Sequence, residues 1–330
     1  MIRTSVLEKD EIYKLADLID KYPFKPYSNY LNLNNEILKD YFFSEIREIL
    51  NGKENCIIGS LENGKYVAFC VIKKSTIESE ILQKQIFSLS HIISQGSYNV
   101  ALKHKLKLLD FVNSNYKTQI NLLSCRANSN DLSTIHALEK KVFRYMDGLV
   151  TYSFEMPQKK PRTINPFFKI RLLNRNDLNQ IKKIAETSYS LDRFHNDPHI
   201  SKTQSNKIYV KFAENATIGV GADRVLIAEH NKEVIGFNTL EIQNHLMAQF
   251  GIHIASFVLN AVSSDCRNRG VYSGLVNDSL ITLNDSADIV EIRAHTNNYP
   301  VHRALSKLGF KLTMSQITFH RWSTCNNRYK

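Results

Sequence analysis

A basic, glycine-containing turn between a strand-like run and a helix-like run is the feature that most constrains this chain. It reads VSSDCRNRGVYSGL over residues 262–275, and a β-branched run, 256–262, precedes it. Backbone N–H groups at a helix start point outward, and the helix dipole favours negative charge there. Gly270 lets the backbone approach a ligand without an intervening Cβ, while Arg267 and Arg269 add charge-assisted donors. The turn therefore predicts a site for a phosphate or diphosphate group.

Composition narrows the class of protein. The 330 residues suggest about two domains. No apolar run approaches the roughly 18 residues that span a bilayer, and the N-terminus is too polar for a signal peptide. Five cysteines without a C-x-x-C pair indicate reduced thiols in the cytoplasm and neither a disulfide framework nor a metal site. Cys266 lies in the turn and is interpreted as a spectator thiol.

The formal net charge of +11 is open to more than one explanation. Nucleic acid is one, but the Lys and Arg residues are scattered, and no nucleic-acid-binding motif is present. Small polyanionic ligands explain the charge equally well, because they too are steered by a positive surface. We therefore expect neither a nucleic-acid nor a membrane partner, and a homodimer stays open.

Three prolines between residues 157 and 166 indicate a linker, 157–165, that divides the chain into 1–156 and 166–330. The second part predicts the order β-α-α-β-β-β-α-β-α-β, with a hairpin at Asn231-Lys232 and the basic turn after the fourth strand. The first part is a weakened copy of the second. The run CRANSN from Cys125 matches IRAHTN from Ile292, an offset of 292 − 125 = 167, and the same offset pairs Phe143 with Phe310.

The spacing Arg-x-x-Gly-x-Tyr in the turn resembles the diphosphate loop of the GNAT superfamily of acyl-CoA-dependent N-acetyltransferases. Within it, the similarity is greatest to the dTDP-fucosamine acetyltransferase type. The resemblance covers about residues 168–322 and rests also on the runs SLDRFHNDP from Ser190, NNYP from Asn297 and QITFHRW from Gln316. It implies an α/β protein of tandem GNAT-like folds, each a mixed central sheet flanked by helices. The C-terminal half would be catalytic, and the N-terminal half, which has lost the phosphate-binding charges, structural.

The resemblance also implies where acetyl-CoA, the co-substrate, would bind. The pantetheine arm would enter an opening between the fourth and fifth strands. The expected cofactor-binding residues are Ala261, Val262, Arg267, Asn268, Arg269, Gly270, Val271, Tyr272, Ser273 and Asn298. A backbone N–H near Asn260 would stabilise the oxyanion. The tyrosine that usually protonates the leaving thiolate aligns with Leu305, so His302, Tyr299 and Tyr272 are the candidate acids, with His302 preferred.

A second set of residues is expected to bind the acceptor. His195, Asp197 and Arg193 would hold sugar hydroxyls and phosphate, Phe194 and Tyr189 would stack on a ring, and the alternative for each is a solvated loop or core packing. Three further candidates are Glu241, His253 and His320.

The sequence thus predicts direct transfer of an acetyl group from acetyl-CoA to a nucleotide-linked 4-amino-4,6-dideoxyhexose, as used in the synthesis of lipopolysaccharide or another surface glycan. Two alternatives stay open. One is transfer to another primary amine, as in mycothiol-synthase-like enzymes or in acyl transfer to a peptide or an aminoglycoside. The other is a non-catalytic CoA-binding scaffold, which Leu305 and the degenerate first half would explain.

Overall fold

The structure, a computed structural model, describes residues 2–30, 33–156, 167–242 and 245–323. The predicted linker, 157–165, lies outside the described residues. The chain forms two compact units. One is Met1–Asp147 together with the segment that begins at Ser315, and the other is Gly148–Met314.

The first unit consists of a six-stranded sheet with helices and a short 3-10 segment, Lys9–Leu15. Its elements are β1 (Ile2–Leu7), α1 (Ala16–Lys21), α2 (Asn35–Ile49), β2 (Cys56–Glu62), β3 (Lys65–Lys74), α3 (Thr76–Leu82), β4 (Ile86–Ser94), α4 (Tyr98–Tyr116), β5 (Leu122–Asn128), α5 (Leu132–Lys140) and most of β12 (Lys311–Trp322). The strand order is β1-β2-β3-β4-β5-β12, and the pairs are antiparallel except β4 with β5.

The second unit repeats this architecture. Its elements are β6 (Arg144–Glu155), mostly in this unit, β7 (Lys169–Leu172), α6 (Leu178–Ser188), α7 (Lys202–Thr217), β8 (Arg224–His230), β9 (Glu233–Glu241), α8 (His245–Ala248), β10 (Ile254–Val262), α9 (Val271–Leu283), β11 (Ile289–His295) and α10 (Tyr299–Leu308). The strand order is β7-β8-β9-β10-β11-β6, and β10 with β11 is the parallel pair. The predicted element order is confirmed, including the hairpin, where Asn231 and Lys232 both adopt positive φ. The short helix α8 was not predicted.

The registers confirm the internal repeat. β4 pairs with β5 from Ile86–Leu122 to Leu89–Cys125, and β10 pairs with β11 from Ile254–Ile289 to Phe257–Ile292. The offsets are 254 − 86 = 168 and 292 − 125 = 167, in agreement with the offset found in the sequence. The first half is therefore a second copy of the same fold.

The two units differ from the predicted domains, 1–156 and 166–330, in the assignment of two strands. The last strand of the chain, β12, pairs with β5, so that His320 lies opposite Ser124 in the first unit. In the second unit the place beside β11 is taken by β6, which pairs with it from Leu149 to Glu155. Each sheet thus receives its sixth strand from the half of the sequence assigned to the other domain.

The core of the second unit lies between one face of its sheet and the helices α9 and α10. It includes Tyr152, Phe154, Phe257, Val262, Val271, Leu275, Val276, Val290, Ile292 and Leu305. In the part of the chain that the structure describes, the helices include none with the length and hydropathy to cross a membrane.

Candidate functional site

The strands β10 and β11 separate partway along their length. Their paired register runs only from Ile254–Ile289 to Phe257–Ile292, although β10 continues to Val262 and β11 to His295. The open edge of β10 that results is the opening that the resemblance implies. We call the space beside it the gap.

A β-bulge at the start of the gap sets which backbone groups face it. The register of β10 with β9 shifts between Phe257 and Leu259. Beyond the shift, the Leu259 N–H donates to Thr239 Oγ1 and the Ser263 N–H to the Ile235 carbonyl, both on β9, at 2.8 and 2.9 Å. Because backbone direction alternates along a strand, the N–H groups of Asn260 and Val262 face the gap.

The same alternation separates two of the predicted cofactor residues. Val262 can offer its N–H to a ligand in the gap, whereas the backbone of Ala261 faces β9, opposite Phe237. The two carbonyl groups on the gap side already have protein donors: Asn260 O accepts from the Tyr189 hydroxyl at 3.1 Å, and Val262 O from Arg267 Nε at 3.3 Å. The groups at this edge that can bind a ligand are therefore the backbone N–H groups, which can donate to a carbonyl oxygen or an oxyanion.

The basic turn leads from the end of β10 to the start of α9. A 3-10 segment, Ser264–Cys266, is followed by Asn268 at φ +61° and Gly270 at φ +79°. The residues from Arg267 to Gly270 are exposed, and the N-cap of α9 has no hydrogen bond from its own side chain because Gly270 has none. A Cβ built on Gly270 would meet no atom within 4 Å. The first N–H groups of α9 thus lie at an open, positively charged surface, which is the geometry that binds anions.

The first turn of α9 anchors the helix in the core. Val271 is 1% exposed, so its side chain belongs to the core, and only its backbone is available to a ligand. Tyr272 packs against the same core, and burial raises the pKa of its hydroxyl well above the usual value. Ser273 is half-buried. Tyr272 therefore keeps its proton at neutral pH, as a hydrogen-bond donor must.

His302, the preferred candidate acid, has a protein partner on each ring nitrogen. Nε2 lies 3.2 Å from the carbonyl oxygen of Thr296, and Nδ1 lies 3.2 Å from the hydroxyl of Tyr152. A carbonyl only accepts, so Nε2 carries the hydrogen and Nδ1 of the neutral ring accepts from Tyr152. Burial raises the pKa of Tyr152. Since both ring nitrogens of His302 have protein partners, His302 and Tyr152 would have to act together if either is to supply a proton to the thiolate.

The neighbours of His302 on α10 also bear on the chemistry. Leu305 is fully buried in the core and has no proton to give. Asn298 is the N-cap of α10 and half-buried, without a side-chain capping bond. Tyr299, the remaining candidate acid, is 64% exposed. Asn298 thus retains an amide that can contact a ligand beside β11.

The loop between α6 and α7 is held together by a buried ion pair. His195 Nδ1 lies 2.6 Å from Asp192 Oδ2, and Nε2 lies 3.0 Å from Asn206 Oδ1. Burial by itself would lower the pKa of His195, but the hydrogen bonds to Asp192 and Asn206 raise it overall. Likewise burial would raise the pKa of Asp192, but His195 and backbone N–H groups lower it. Direct binding of substrate by His195 would require the loss of one of these bonds.

The other predicted acceptor residues of this loop divide between surface and core. Asp197 is 1% exposed and accepts the His199 N–H, and Phe194 is 3% exposed, so both act within the fold. Arg193 lies with its guanidinium 4.5 Å from the Phe194 ring centre. Tyr189 stacks on Tyr209 at 4.0 Å and reaches β10 through its hydroxyl. Of these side chains, Tyr189 is therefore the one placed directly at the gap.

The three remaining candidates lie at different distances from the gap. Glu241 pairs with Ser256, beside the start of the gap. His253 precedes β10, where its backbone bonds with Asp288 and Ile289. It lies four positions before Phe257, which is about 13 Å along a strand. His320 is 1% exposed within β12, in the first unit. Of the three, the structure places Glu241 nearest to the gap.

Sequence reasoning missed three residues of this region. Asp192 lies inside the run from Ser190 to Pro198, where its spacing of three from His195 was an available signal. Tyr152 lies in the other half of the sequence and reaches His302 only because β6 pairs with β11. Asn238 lies opposite Asn260 on β9, but α8 interrupts the connection between β9 and β10 and their register shifts between Phe257 and Leu259, so no signal in the sequence indicated this pair.

The first unit has different residues at the equivalent positions. Asp131, at 298 − 167 = 131, takes the place of Asn298 and forms a buried ion pair with Lys105, whose Nζ is 2.9 Å from Oδ1. Lys105 Nζ also donates to Ser133 and Thr134, and Thr134 Oγ1 donates to the Ile92 carbonyl on β4. These side chains fill the space that corresponds to the gap of the second unit.

Comparisons with known proteins agree with this architecture. No protein-family model matches the chain. A curated relative, the spore coat polysaccharide biosynthesis protein SpsD of Bacillus subtilis (strain 168), is 22% identical over 206 residues, which are 62% of this chain and 69% of the relative.

Two solved structures resemble the chain at low sequence identity. The first is a tandem GNAT protein from the clavulanic acid biosynthesis pathway, with TM-score 0.58, 9% identity, and coverage of 99% of this chain and 100% of that one. The second is a GCN5-related glucosamine N-acetyltransferase region of a fungal multi-domain GH3 β-N-acetylglucosaminidase, with TM-score 0.68, 12% identity, and coverage of 97% of this chain and 38% of that one. The chain therefore has the tandem GNAT fold.

Proposed function

We propose that the protein is an N-acetyltransferase that moves an acetyl group from acetyl-CoA to an amine. One observation carries the proposal: the open, uncapped start of α9, with Arg267 and Arg269 beside it, follows directly on the strand whose edge is free at the gap. A ligand with a diphosphate at one end and an amide-bearing arm at the other matches both features. CoA is such a ligand.

The proposed roles follow the two features in order. The N–H groups of Val271, Tyr272 and Ser273, with the two arginines, would hold the diphosphate. The Val262 N–H would bind the pantetheine arm as an added strand would, and Asn298 would contact it from α10. The open space around Gly270 supports this assignment, because a backbone cradle needs room for phosphate oxygens.

The reaction needs a neutral amine, a polarised thioester and a proton for the leaving thiolate. The amine nitrogen forms a bond to the carbonyl carbon, and the N–H of Asn260 stabilises the oxyanion, an effect worth roughly 2.7–4 kcal/mol for one donor. The carbon–sulfur bond then breaks, the amine loses a proton to solvent or to Glu241 through water, and the CoA sulfur gains one. We assign this proton to the Tyr152–His302 pair, because Tyr272 lies at the diphosphate end of the arm and its side chain packs against the core. A thiolate also leaves unaided at neutral pH.

An amino sugar is the acceptor that we favour, specifically a nucleotide-linked 4-amino-4,6-dideoxyhexose. Support comes from the name of the SpsD relative, which places it in polysaccharide biosynthesis, and from the glucosamine N-acetyltransferase region of similar fold. Tyr189, which stacks on Tyr209 and donates its hydroxyl hydrogen to the Asn260 carbonyl, places an aromatic side chain with a polar end at the gap. The reaction would then belong to surface glycan synthesis in the cytoplasm, where free thiols such as CoA persist.

The test is a thiol-release assay with the full-length chain. Acetyl-CoA is incubated with nucleotide amino sugars, polyamines, peptides and aminoglycosides, and free CoA thiol is followed. We expect release with a nucleotide amino sugar and its loss in the Arg267→Glu, Arg269→Glu double variant. The Arg3→Glu, Arg175→Glu double variant is the control, because it makes the same charge change on two exposed residues. Release of thiol only with an amine of another class would show that the proposed acceptor is wrong and would identify the class that is accepted. Binding of CoA without release of thiol on any amine would indicate a non-catalytic CoA-binding protein.

A further inference from the structure

Two asparagines lie directly opposite each other beneath α9. Asn238 on β9 pairs in register with Asn260 on β10. Asn238 is fully buried, and its Nδ2 donates to Ser279 Oγ on α9 at 3.3 Å. The Oδ1 atoms of both asparagines are buried and have no hydrogen-bond partner among the residues that the structure describes. Buried amide oxygens are rarely left in this state, so each calls for a donor.

Their surroundings indicate where that donor would come from. The neighbouring pairs on the same face, Phe257–Leu240 and Val262–Gly236, line the apolar core under α9. Ser279 cannot supply a second donor, because its hydroxyl hydrogen goes to the Leu275 carbonyl at 2.8 Å. Asn260, however, lies on the free edge of β10. A donor can therefore reach the pair from the gap.

The first unit, which lacks the basic turn, has no such polar pair. With the offset of 168 found for β4 and β10, Asn260 corresponds to 260 − 168 = 92, the buried Ile92. With the offset of 174 that aligns Gly96 with Gly270, Ser279 corresponds to 279 − 174 = 105, the lysine of the buried ion pair. This facing pair of unsatisfied amides thus occurs in the unit that has the open α9 terminus.

We propose that Asn260 is a binding residue for the pantetheine arm of CoA, and that Asn238 is its positioning residue. Asn260 Oδ1 accepts a hydrogen bond from a pantetheine amide N–H in the gap. On CoA binding, Asn260 Nδ2 turns to donate to Asn238 Oδ1, which has no donor in the described part of the chain, and the Asn260 carbonyl then faces the ligand. The assignment rests on the proposed function, since it presumes that the gap takes CoA.

The side chain of Asn260 points to the α9 face of the sheet, and this favours the arm of CoA over the acceptor amine. The same helix presents its N-terminus to the diphosphate, so the part of the ligand that passes Asn260 is the part that leads from the diphosphate to the thioester. That part carries amide N–H groups, which match the unsatisfied carbonyl oxygens in hydrogen-bonding capacity.

The test compares two ligands by calorimetric titration of the full chain. CoA contains the arm, and adenosine 3′,5′-bisphosphate lacks it. We expect Asn260→Leu to weaken CoA about tenfold, as the loss of one hydrogen bond does, and Asn238→Leu to weaken it by a smaller factor. Neither variant should change the affinity for the bisphosphate. Asn113→Leu, which removes a buried unpartnered amide oxygen in the first unit, is the matched control.

The double variant distinguishes positioning from an independent contact. If Asn238 acts only through Asn260, the variant with both substitutions binds CoA as Asn260→Leu does, and the two effects do not add. Unchanged CoA affinity in Asn260→Leu overturns the assignment. Equal loss of CoA and bisphosphate indicates general damage and also overturns it. Wild-type protein that binds neither ligand refutes the proposed function itself, and the assignment with it.

Discussion

Replacement of Gly270 by alanine tests the diphosphate cradle with the smallest possible change. Gly270 has φ +79°, a conformation that costs an L-residue roughly 1–2 kcal/mol, and an added Cβ meets no protein atom within 4 Å. The expected loss of folding free energy is therefore about 1–2 kcal/mol, from backbone strain alone. The methyl group would instead project where a bound phosphate has to approach the backbone.

The chain contains a closely matched control. Gly221 has φ +77°, and an added Cβ there also meets nothing within 4 Å. Gly221→Ala should lose the same folding free energy in chemical denaturation, while only Gly270→Ala loses CoA affinity. One charge-assisted hydrogen bond is worth about 1.5–3 kcal/mol, so the expected increase in Kd is about 10- to 150-fold.

Two measurements test this prediction: calorimetry gives the affinity for CoA, and denaturation in urea gives the free energy of unfolding. Equal stability losses with a selective loss of CoA binding support the cradle. Wild-type CoA affinity in Gly270→Ala would refute the reasoning, because a diphosphate on these amides leaves no room for the methyl group. Gly274→Ala provides a contrast: its Cβ would lie 2.6 Å from the Phe168 ring, so overpacking of about 1–3 kcal/mol should appear as instability.

Three further predictions follow from buried groups. Asp192→Asn leaves His195 without its carboxylate and should lower the unfolding free energy by about 3–5 kcal/mol. Because the pKa of His195 is raised and that of Asp192 is lowered, the difference from wild type should be largest between about pH 4 and 6.5. It should shrink as pH rises through the folded His195 pKa or falls through that of Asp192, and a difference independent of pH from 3 to 9 would contradict the ion pair. Lys105→Met leaves the buried carboxylate of Asp131 without its ion-pair partner and should lower the unfolding free energy by about 3–5 kcal/mol. It should alter neither the CoA affinity nor the stoichiometry of one CoA per chain. Two CoA molecules bound per wild-type chain would show instead that the first unit also has an open site. His302→Ala and Tyr152→Phe should lower kcat about 100-fold and to the same extent if the pair supplies a proton, with KM for acetyl-CoA unchanged; wild-type kcat in both would exclude that role.

The sequence predicted those parts of the fold that local pattern determines. The order of elements in the second half, the hairpin at Asn231 and Lys232, and the repeat at an offset near 167 all depend on periodicity, turn chemistry and self-similarity along the chain. The assignment of the last strand was not accessible in this way. An alternating run such as Lys311–Trp322 specifies a strand but not its neighbour, so its pairing with β5 required the structure.

The same limit applies to the candidate site. The turn around Gly270 is contiguous, and its open geometry agrees with the spacing of its residues. Individual side chains outside this turn were harder to assign from the sequence, because the burial and the hydrogen-bond partners of a side chain depend on packing between distant segments. His195 is tied to Asp192 and Asn206, His302 is tied to Tyr152 from the other half of the chain, and His320 lies in the first unit.

The most direct test is a crystal structure of the full chain with CoA. We predict one CoA per chain, with its diphosphate about 3 Å from the N–H groups of Val271, Tyr272 and Ser273. Its pantetheine arm should lie along β10 beyond Phe257. A diphosphate bound elsewhere, or an arm that does not enter the gap between β10 and β11, would contradict this prediction.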